Sequence, residues 1–465
     1  MRSYADLIHQ TFYFPTEEFR VENGELIFND VPLMPIIEQY GTPMKLTYLP
    51  KIGRNIQQAK QLFAKAIEKH NYKGQYTYCY CTKSSHFSFV VEEALKNDIH
   101  LETSSAFDMP IIKRLYERGK INKDTLIVCN GYKRDRYSKH ISDFLNEGFH
   151  NCIPVLDNMM EFQYLEKWVN VPYKVGIRVA ADEEPNFDFY TSRLGIRYND
   201  VINFYKEVIS QSPKAKLKML HYFINTGIKD TVYYWSELSK FVQMYCDLRK
   251  ICPDLDTIDI GGGFPIKTSL HFDYNYEYMI DQIVMNIKEM CRENDVPEPH
   301  IITEFGSYTV GESGATIYSV LGQKLQNDKE LWYMIDGSFI TQLPDVWGLN
   351  QKFLMLAINH WNNRFQKVNL GGLTCDSQDF YASEAHTSEV YLPKIEEGQM
   401  LYMGMFHTGA YQETLGGYGG VQHCLIPAPQ HIVIDRDENG RITHQVFSTE
   451  QDSESMMQIL GYGKK

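Results

Sequence analysis

Tyr76-Thr77-Tyr78-Cys79-Tyr80-Cys81-Thr82 is a run of aromatic, β-branched and small apolar residues that ends on Lys83. A short run that is continuous rather than alternating reads as a buried strand. It is followed by Phe87–Lys96, whose apolar residues recur at spacings of three and four, and then by a second run, Ile99–Thr103. Strand, helix and strand in that order predict a parallel pair joined by a right-handed crossover.

The same alternation continues in both directions from this unit. Further runs are Thr125–Cys129, Cys152–Leu156, Tyr173–Val179, Leu217–Ile224, Thr257–Ile260 and His300–Thr303. Between and around them lie the helical stretches Ile56–Lys69, Ile111–Arg118, Tyr137–Leu145, Met160–Val169, Ile202–Ile209, Trp235–Lys250 and Tyr278–Arg292. Gly, Asn or Asp punctuate most joints. Eight strands alternating with helices is the count that closes a (β/α)8 barrel. After about residue 315 the texture changes to short, turn-rich alternating stretches such as Trp332–Ile335, Gln399–Tyr402 and His431–Ile434, the signature of antiparallel strands. Leu26-Ile27-Phe28 and Lys45-Leu46-Thr47-Tyr48 read the same way. The expected fold is therefore α/β: a (β/α)8 TIM barrel over residues 50–315, and a mostly antiparallel β domain built from residues 1–49 and 316–465.

Composition narrows the functional classes. The 46 basic and 59 acidic side chains give a net charge of −13 over 465 residues, which argues against a nucleic-acid partner because neutralising phosphates needs a basic face. An acidic balance tolerates a cationic small molecule. The start, Met1-Arg2-Ser3-Tyr4-Ala5-Asp6, has charges and no apolar run that would serve as a signal peptide, and no apolar stretch reaches the roughly 18 residues of a membrane span. The nine cysteines are scattered without repeated CxxC spacing, so reduced thiols in a cytoplasmic protein are expected, and no metal site.

In a barrel, the residues just beyond each strand face the active site. Here they are Lys83, Glu102, Asn130, Asp157, Arg178, Asn225 with Thr226, Gly261-Gly262-Gly263, and Glu304. Polar strand ends also simply meet solvent. Lys83 at a strand mouth reads either as an amine freed by desolvation to form a Schiff base or as a lysine snorkelling to the rim. The three glycines read either as a backbone cradle for a phosphate or as a plain tight turn. Glu304 is a rim carboxylate or the partner of a ring nitrogen, and on the last strand it is expected to face Lys83 across the mouth. In Thr374-Cys375-Asp376-Ser377 the cysteine is structural, or an exposed acid or nucleophile.

Together these motifs carry a resemblance. Tyr80-Cys81-Thr82-Lys83, Asp259-Ile260-Gly261-Gly262-Gly263, Thr374-Cys375-Asp376 and Gly409-Ala410-Tyr411 resemble, in order, signatures of the fold-type III, alanine-racemase-like pyridoxal-phosphate decarboxylases, which include the ornithine, diaminopimelate and biosynthetic arginine enzymes. Cys129-Asn130-Gly131-Tyr132-Lys133, Leu343-Pro344-Asp345-Val346-Trp347-Gly348, Thr374-Cys375-Asp376-Ser377 and Gly409-Ala410-Tyr411-Gln412-Glu413 are similar to stretches of the arginine branch. The resemblance covers roughly residues 40 to 425.

The resemblance implies pyridoxal 5'-phosphate as cofactor. It implies Lys83 as the lysine that carries the cofactor as a Schiff base, with Glu304 paired to the pyridine nitrogen. Gly261, Gly262, Gly263, Thr226 and Tyr411 would hold the phosphate, and Arg178 would sit near the ring. Asp345 and Asp376 would bind the distal cation of an amino-acid substrate. Cys375 would return a proton to Cα after CO2 leaves. Because Cys375 and Asp376 match residues that reach a neighbouring subunit's site, a homodimer or a higher assembly of dimers is implied. The chain departs from the family pattern at three places: Phe223 stands where a ring-stacking histidine is usual, Asn225 replaces a glycine, and Ser307 stands where a phosphate-binding arginine is usual. It also lacks the long helical insert of the bacterial arginine enzymes. The implied function is decarboxylation of arginine to agmatine in polyamine biosynthesis. The alternatives are the same chemistry on citrulline, ornithine, lysine or a carboxylated polyamine, or a catalytically silent regulatory homologue.

Overall fold

Eight strands hydrogen-bond in a closed ring in the computed structural model, which describes residues 4–11, 14–182, 190–270, 272–381 and 390–463. Met1, Arg2 and Ser3 of the charged start lie outside the described residues. The barrel strands are β1 (Tyr76–Cys81), β2 (His100–Thr103), β3 (Ile127–Cys129), β4 (Cys152–Leu156), β5 (Tyr173–Ala180), β6 (Ala215–His221), β7 (Thr257–Asp259) and β8 (His300–Phe305). Each pairs in parallel with the next, and β8 pairs with β1 to close the ring. The helix Leu49–Lys69 precedes β1. The helices Ser88–Leu95, Asp108–Glu117, Asp135–Asn146, Met159–Trp168, Tyr198–Glu207, Val232–Arg249 and Tyr276–Glu293 follow β1 to β7 in turn.

The strands form because both their faces are covered. Side chains of Cys79, Val128, Ile153, Val155, Met219 and Ile302 make one buried cluster. Helix starts are fixed by polar caps: Asn158 accepts from the N–H groups of Met160 and Glu161, Thr231 from Tyr234, and Asn275 from Tyr278. The expected strand Leu217–Ile224 ends early. β6 stops at His221 rather than Ile224, because Gly227, with φ of +79°, folds back to bond Ile224 in a turn.

The chain divides into two units, Gly53–Pro265 with Tyr274–Thr309, and Met1–Ile52 with Ile266–Asp273 and Val310–Lys465. The second holds a ten-stranded sheet in which Met44–Tyr48 lies antiparallel to the long strand Gly314–Gln326 and parallel to Gln430–Arg436. Glu330–Ile335 and Phe365–Gly371 also pair in parallel, so the sheet is mostly rather than wholly antiparallel. The expected strand Gln399–Tyr402 is displaced to Tyr402–Phe406. Residues 396–399 form a turn around Gly398, whose φ of +85° interrupts extended backbone. No helix among the described residues is long and apolar enough to cross a membrane.

This second unit contains a buried ion cluster. Lys51 lies 2.7 Å from Glu18 and 2.9 Å from Glu312, while Lys267 lies 3.3 Å from Glu18. Burial alone would raise the Glu312 carboxyl, but Lys51, His407 and Lys267 outweigh it and hold it down at about 2. A carboxylate with a depressed pKa stabilises fully above its ordinary value, here 4.5, and loses that contribution as pH falls through its folded value. Glu312→Gln is expected to destabilise the unit by about 3 kcal/mol at pH 7, the cost of breaking a buried ion cluster. In urea melts the gap from wild type should narrow as pH falls below 4.5 toward 2. A gap that stays constant or widens in acid would contradict the assignment.

Candidate active site

Lys83 sits in a single 3-10 turn, Thr82–Ser84, directly after β1. That turn is braced from both sides. Ser84 Oγ donates to Cys81 O at 2.8 Å, and Thr82 Oγ1 donates to Glu102 O at 3.1 Å and to Asp108 Oδ1 at 3.2 Å. Burial opposes the Asp108 charge. His86 and the N–H groups of Ser104 and Ser105 outweigh that and keep the carboxyl below its ordinary value. Asp108 thus ties the β1 turn to the β2 turn.

Lys83 Nζ donates to Glu102 Oε2 at 2.6 Å; the lysine side chain is 40% exposed and the glutamate fully buried. The part-exposed side chain matches a rim lysine, yet its partner lies inside the barrel. From Glu102 the chain of contacts continues. Asn130 Nδ2, at the end of β3, donates to Glu102 Oε1 at 3.2 Å and to Glu304 Oε1 at 2.6 Å. An amide nitrogen has two hydrogens, and the two carboxylates are acceptors, so one NH2 group bridges both. On the far side, His221 Nε2 lies 3.3 Å from Glu304 Oε2.

Glu304 is buried, which opposes its charge, but His221, Asp259 and Lys83 outweigh that and hold its carboxyl down at about 2. Asp259 moves the opposite way. Burial and the neighbouring Glu304 push it well above the carboxylate range, so it keeps a proton beside the ionised glutamate. Asp259 Oδ1 accepts the N–H of Gly261 at 2.9 Å, while Asp259 Oδ2, His221 Nδ1 and Asn130 Oδ1 are buried with no partner among the described residues.

The structure corrects one expectation here. β8 lies beside β1, with Glu304 level with Cys79, so Glu304 does not face Lys83 across the mouth. A closed ring makes the last strand the neighbour of the first. The two residues are joined instead through Glu102 and Asn130.

The three glycines follow β7. A Cβ on Gly262 would stand 2.1 Å from Glu304 O, one on Gly261 2.8 Å from Tyr222 O, and one on Gly263 2.8 Å from the Gly227 Cα. The turn therefore needs glycine in order to pack against the ends of β6 and β8. The N–H groups of Gly262 and Gly263 find no acceptor among the described residues, whereas Gly261 O and Gly263 O accept from Glu304 and Ile228. Phe223, 39% exposed, and Thr226 lie in the turn after β6, and Ser307 opens the short helix Ser307–Val310 after β8. Burial pulls the Arg178 guanidinium on β5 down from its ordinary value, against the opposing fields of Asp157, Glu304 and Glu102. No hydrogen bond reaches that guanidinium among the described residues, and exposed Arg193 is near enough to act on it.

The remaining candidates belong to the other unit. Asp345 opens the helix Pro344–Gly348 and accepts from Gln412 Nε2 at 2.7 Å. Tyr411, just before Gln412, has φ of +68°, a left-handed conformation rare for a large side chain and often found at functional sites. Cys375 and Asp376 lie on a loop anchored by Asp379, which accepts from Thr374 N at 3.1 Å, Thr374 Oγ1 at 2.7 Å and Phe339 N at 2.8 Å. Seven of the nine cysteines are buried. Cys375 and Cys424 are exposed, and their sulfurs lie 3.4 Å apart.

Taken together, the barrel mouth offers an amine at its edge, unpaired N–H groups on a glycine turn, a guanidinium, and a buried ionised carboxylate. That is a donor set for a phosphorylated, carbonyl-bearing, basic heterocycle. The family model described as pyridoxal-dependent decarboxylase, pyridoxal binding domain, matches residues 51–311. The chain belongs to the pyridoxal-dependent decarboxylases. Its cofactor is pyridoxal phosphate, and the donor set just described fits it. The chain is 22% identical over 547 residues to the biosynthetic arginine decarboxylase of Prochlorococcus marinus (strain MIT 9215), covering 91% of this chain and 83% of that one. Its fold superposes with a TM-score of 0.80 and 19% identity on the biosynthetic arginine decarboxylase of Campylobacter jejuni, covering 99% and 91% of the two chains. A diaminopimelate decarboxylase from M. jannaschii gives 0.78 and 15%, covering 95% and 97%.

Sequence reasoning named Glu102, Asn130 and, within a motif, Asp259 without giving them a role, and passed over His221 and Asp379. Strand-end position was the available signal for all of these but Asp379. In this decarboxylase Gly262→Ala is expected to push Glu304 out of place while leaving the barrel folded. Cofactor affinity, followed by absorbance of the bound cofactor after dialysis, should fall at least tenfold with the far-ultraviolet circular dichroism unchanged; unaltered affinity would contradict the packing argument.

Proposed function

We propose that this decarboxylase converts L-arginine to agmatine and CO2, as a cytoplasmic step of polyamine biosynthesis, in a homodimer or an assembly of dimers. The observation that carries the choice of substrate is Asp345. It is buried, at 4% exposure, and among the described residues it has the Gln412 amide as its side-chain donor and no cationic partner. Burial raises its carboxyl against that hydrogen bond. A buried carboxylate without a cation is costly, and a guanidinium ligand relieves the cost. Two stretches that resemble the arginine branch, one with Asp345 and one with Gln412, also pack against each other here.

In this reading Lys83 holds the cofactor covalently, and Glu304 holds a proton on its ring nitrogen. Gly261, Gly262, Gly263, Thr226, Ser307 and Tyr411 would hold its phosphate, and Arg178 and Phe223 would hold its ring. Bound pyridoxal phosphate supplies the electron sink that accepts the pair left when CO2 departs. The residues of the chain do the rest. Glu304, kept ionised, favours the protonated ring nitrogen that a sink requires. Lys83, held here by Glu102 at 2.6 Å, would be the amine that carries the cofactor. Asp345 and Asp376 orient the distal guanidinium by charge-assisted hydrogen bonds. Cys375 Sγ delivers a proton to the substrate Cα. Cys375 and Asp376 are assigned to the site of the neighbouring subunit.

Carbon dioxide release across arginine, citrulline, ornithine, lysine and diaminopimelate tests the substrate. Arginine is expected to give the highest kcat/KM, and Asp345→Asn should lower it by about 100-fold, the cost of an unpaired buried charge, while changing citrulline turnover little. A panel led by another amino acid would replace the assignment. Lys83→Ala should abolish the near-visible band of the bound cofactor. Mixing inactive Lys83→Ala chains with inactive Cys375→Ala chains should then restore measurable turnover, because one hybrid site carries both intact residues; no recovery would refute the shared site.

A further inference from the structure

Cys375, His423 and Cys424 are all exposed, and their donor atoms lie within 4.8 Å of one another. The two other groupings this close among the described residues, His221 with Asp259 and Glu304, and Cys81 with Glu102 and Glu304, belong to the barrel mouth. We propose that Cys375, Cys424 and His423 form a binding site for a zinc ion with one coordination position open to solvent.

The sulfur separation supports a metal bridge. Two thiolates on one tetrahedral zinc, at about 2.3 Å each, stand about 3.8 Å apart. Disulfide sulfurs stand about 2.05 Å apart. The observed 3.4 Å is much nearer the first, and a small rotation of either side chain closes the difference.

Both loops are held ready. On one side Asp379 pins Thr374 through its N–H and hydroxyl, and Asp376 Oδ1 accepts the N–H of Gln378 at 2.8 Å, so Cys375 stands on a fixed turn. On the other, the 3-10 turn His423–Leu425 is closed by a bond from Leu425 N to Gln422 O at 3.0 Å. Cys424 and Leu425 both take left-handed backbone, with φ of +54° and +53°. Such a conformation is unfavourable for a residue with a Cβ, and it brings the Cys424 sulfur to Cys375 across 49 positions of sequence.

The donor chemistry selects the ion. Two thiolates and an imidazole are ligands for zinc, whereas magnesium and calcium prefer oxygen. When zinc binds, two S–H bonds break, two protons go to solvent and two Zn–S bonds form, with no change of oxidation state. A consequence that rests on the proposed role of Cys375 is inhibition, since a thiolate held by zinc has no proton to give.

The test is equilibrium dialysis of the reduced holoenzyme against zinc chloride, with metal analysis, for wild type, Cys424→Ser and His423→Gln. One zinc per chain is expected for wild type, with at least tenfold weaker binding in each variant, while both variants treated with chelator turn over like wild type. Stoichiometric zinc should stop wild-type turnover and spare Cys424→Ser. Absence of zinc from the reduced protein would overturn the proposal. Equal binding by Cys424→Ser would also overturn it, placing the metal at the barrel mouth, as would a mass loss of two hydrogens per chain with no bound metal, the mark of a disulfide. Zinc bound through these residues without loss of turnover supports the site and contradicts the assignment of Cys375 as proton donor.

Discussion

A carboxylate buried at the barrel mouth has to remain charged, and the arrangement around it follows from that requirement. Removing such an ion from water costs several kcal/mol, which a protein recovers only by surrounding it with donors. Glu304 gets them from separate strand ends: the Asn130 amide from β3, the His221 ring from β6, and the field of Lys83 from the turn after β1. Asp259 from β7 accommodates the charge by staying neutral. A parallel ring delivers all these ends to one face, and no shorter-range structure would. The charge of Glu304 thus depends on barrel closure, because the residues that keep it ionised are as far apart in sequence as Lys83 and Glu304.

The same logic explains the glycines. Their turn must lie against β6 and β8, where a single Cβ would collide with the backbone of Glu304. The position of the carboxylate and the N–H groups of Gly262 and Gly263, left without an acceptor among the described residues, are consequences of one close approach. In the β unit, Asp379 has a comparable part, since it satisfies the start of the helix Phe339–Gln342 and fixes the loop that bears Cys375 and Asp376.

Much of this was legible in the residues. The barrel could be read because each strand is a short apolar run and each helix keeps its own period, so that every element is a local signal. Lys83 and Glu304 could be placed at strand ends for the same reason. What could not be read depends on contacts between distant segments. Nothing near Glu304 says that its strand lies beside β1, and nothing near Asn130 says that its amide serves two carboxylates. Cys424 gave no sign of its pairing with Cys375, because a turn with left-handed backbone at Cys424 and Leu425 is not announced by glycine. The parallel pairing of Met44–Tyr48 with Gln430–Arg436 was hidden likewise, its two strands lying near opposite ends of the chain.

The central claim is that Glu304 is an anion whose purpose is to keep a proton on the ring nitrogen of the cofactor. The most direct measurement is nitrogen NMR of the holoenzyme reconstituted with cofactor labelled with nitrogen-15 at the ring position. The account predicts a pyridinium shift in the wild-type protein throughout the neutral pH range, and an unprotonated pyridine shift in Glu304→Gln. An unprotonated ring nitrogen in wild type, or the same protonated shift in both proteins, would contradict it.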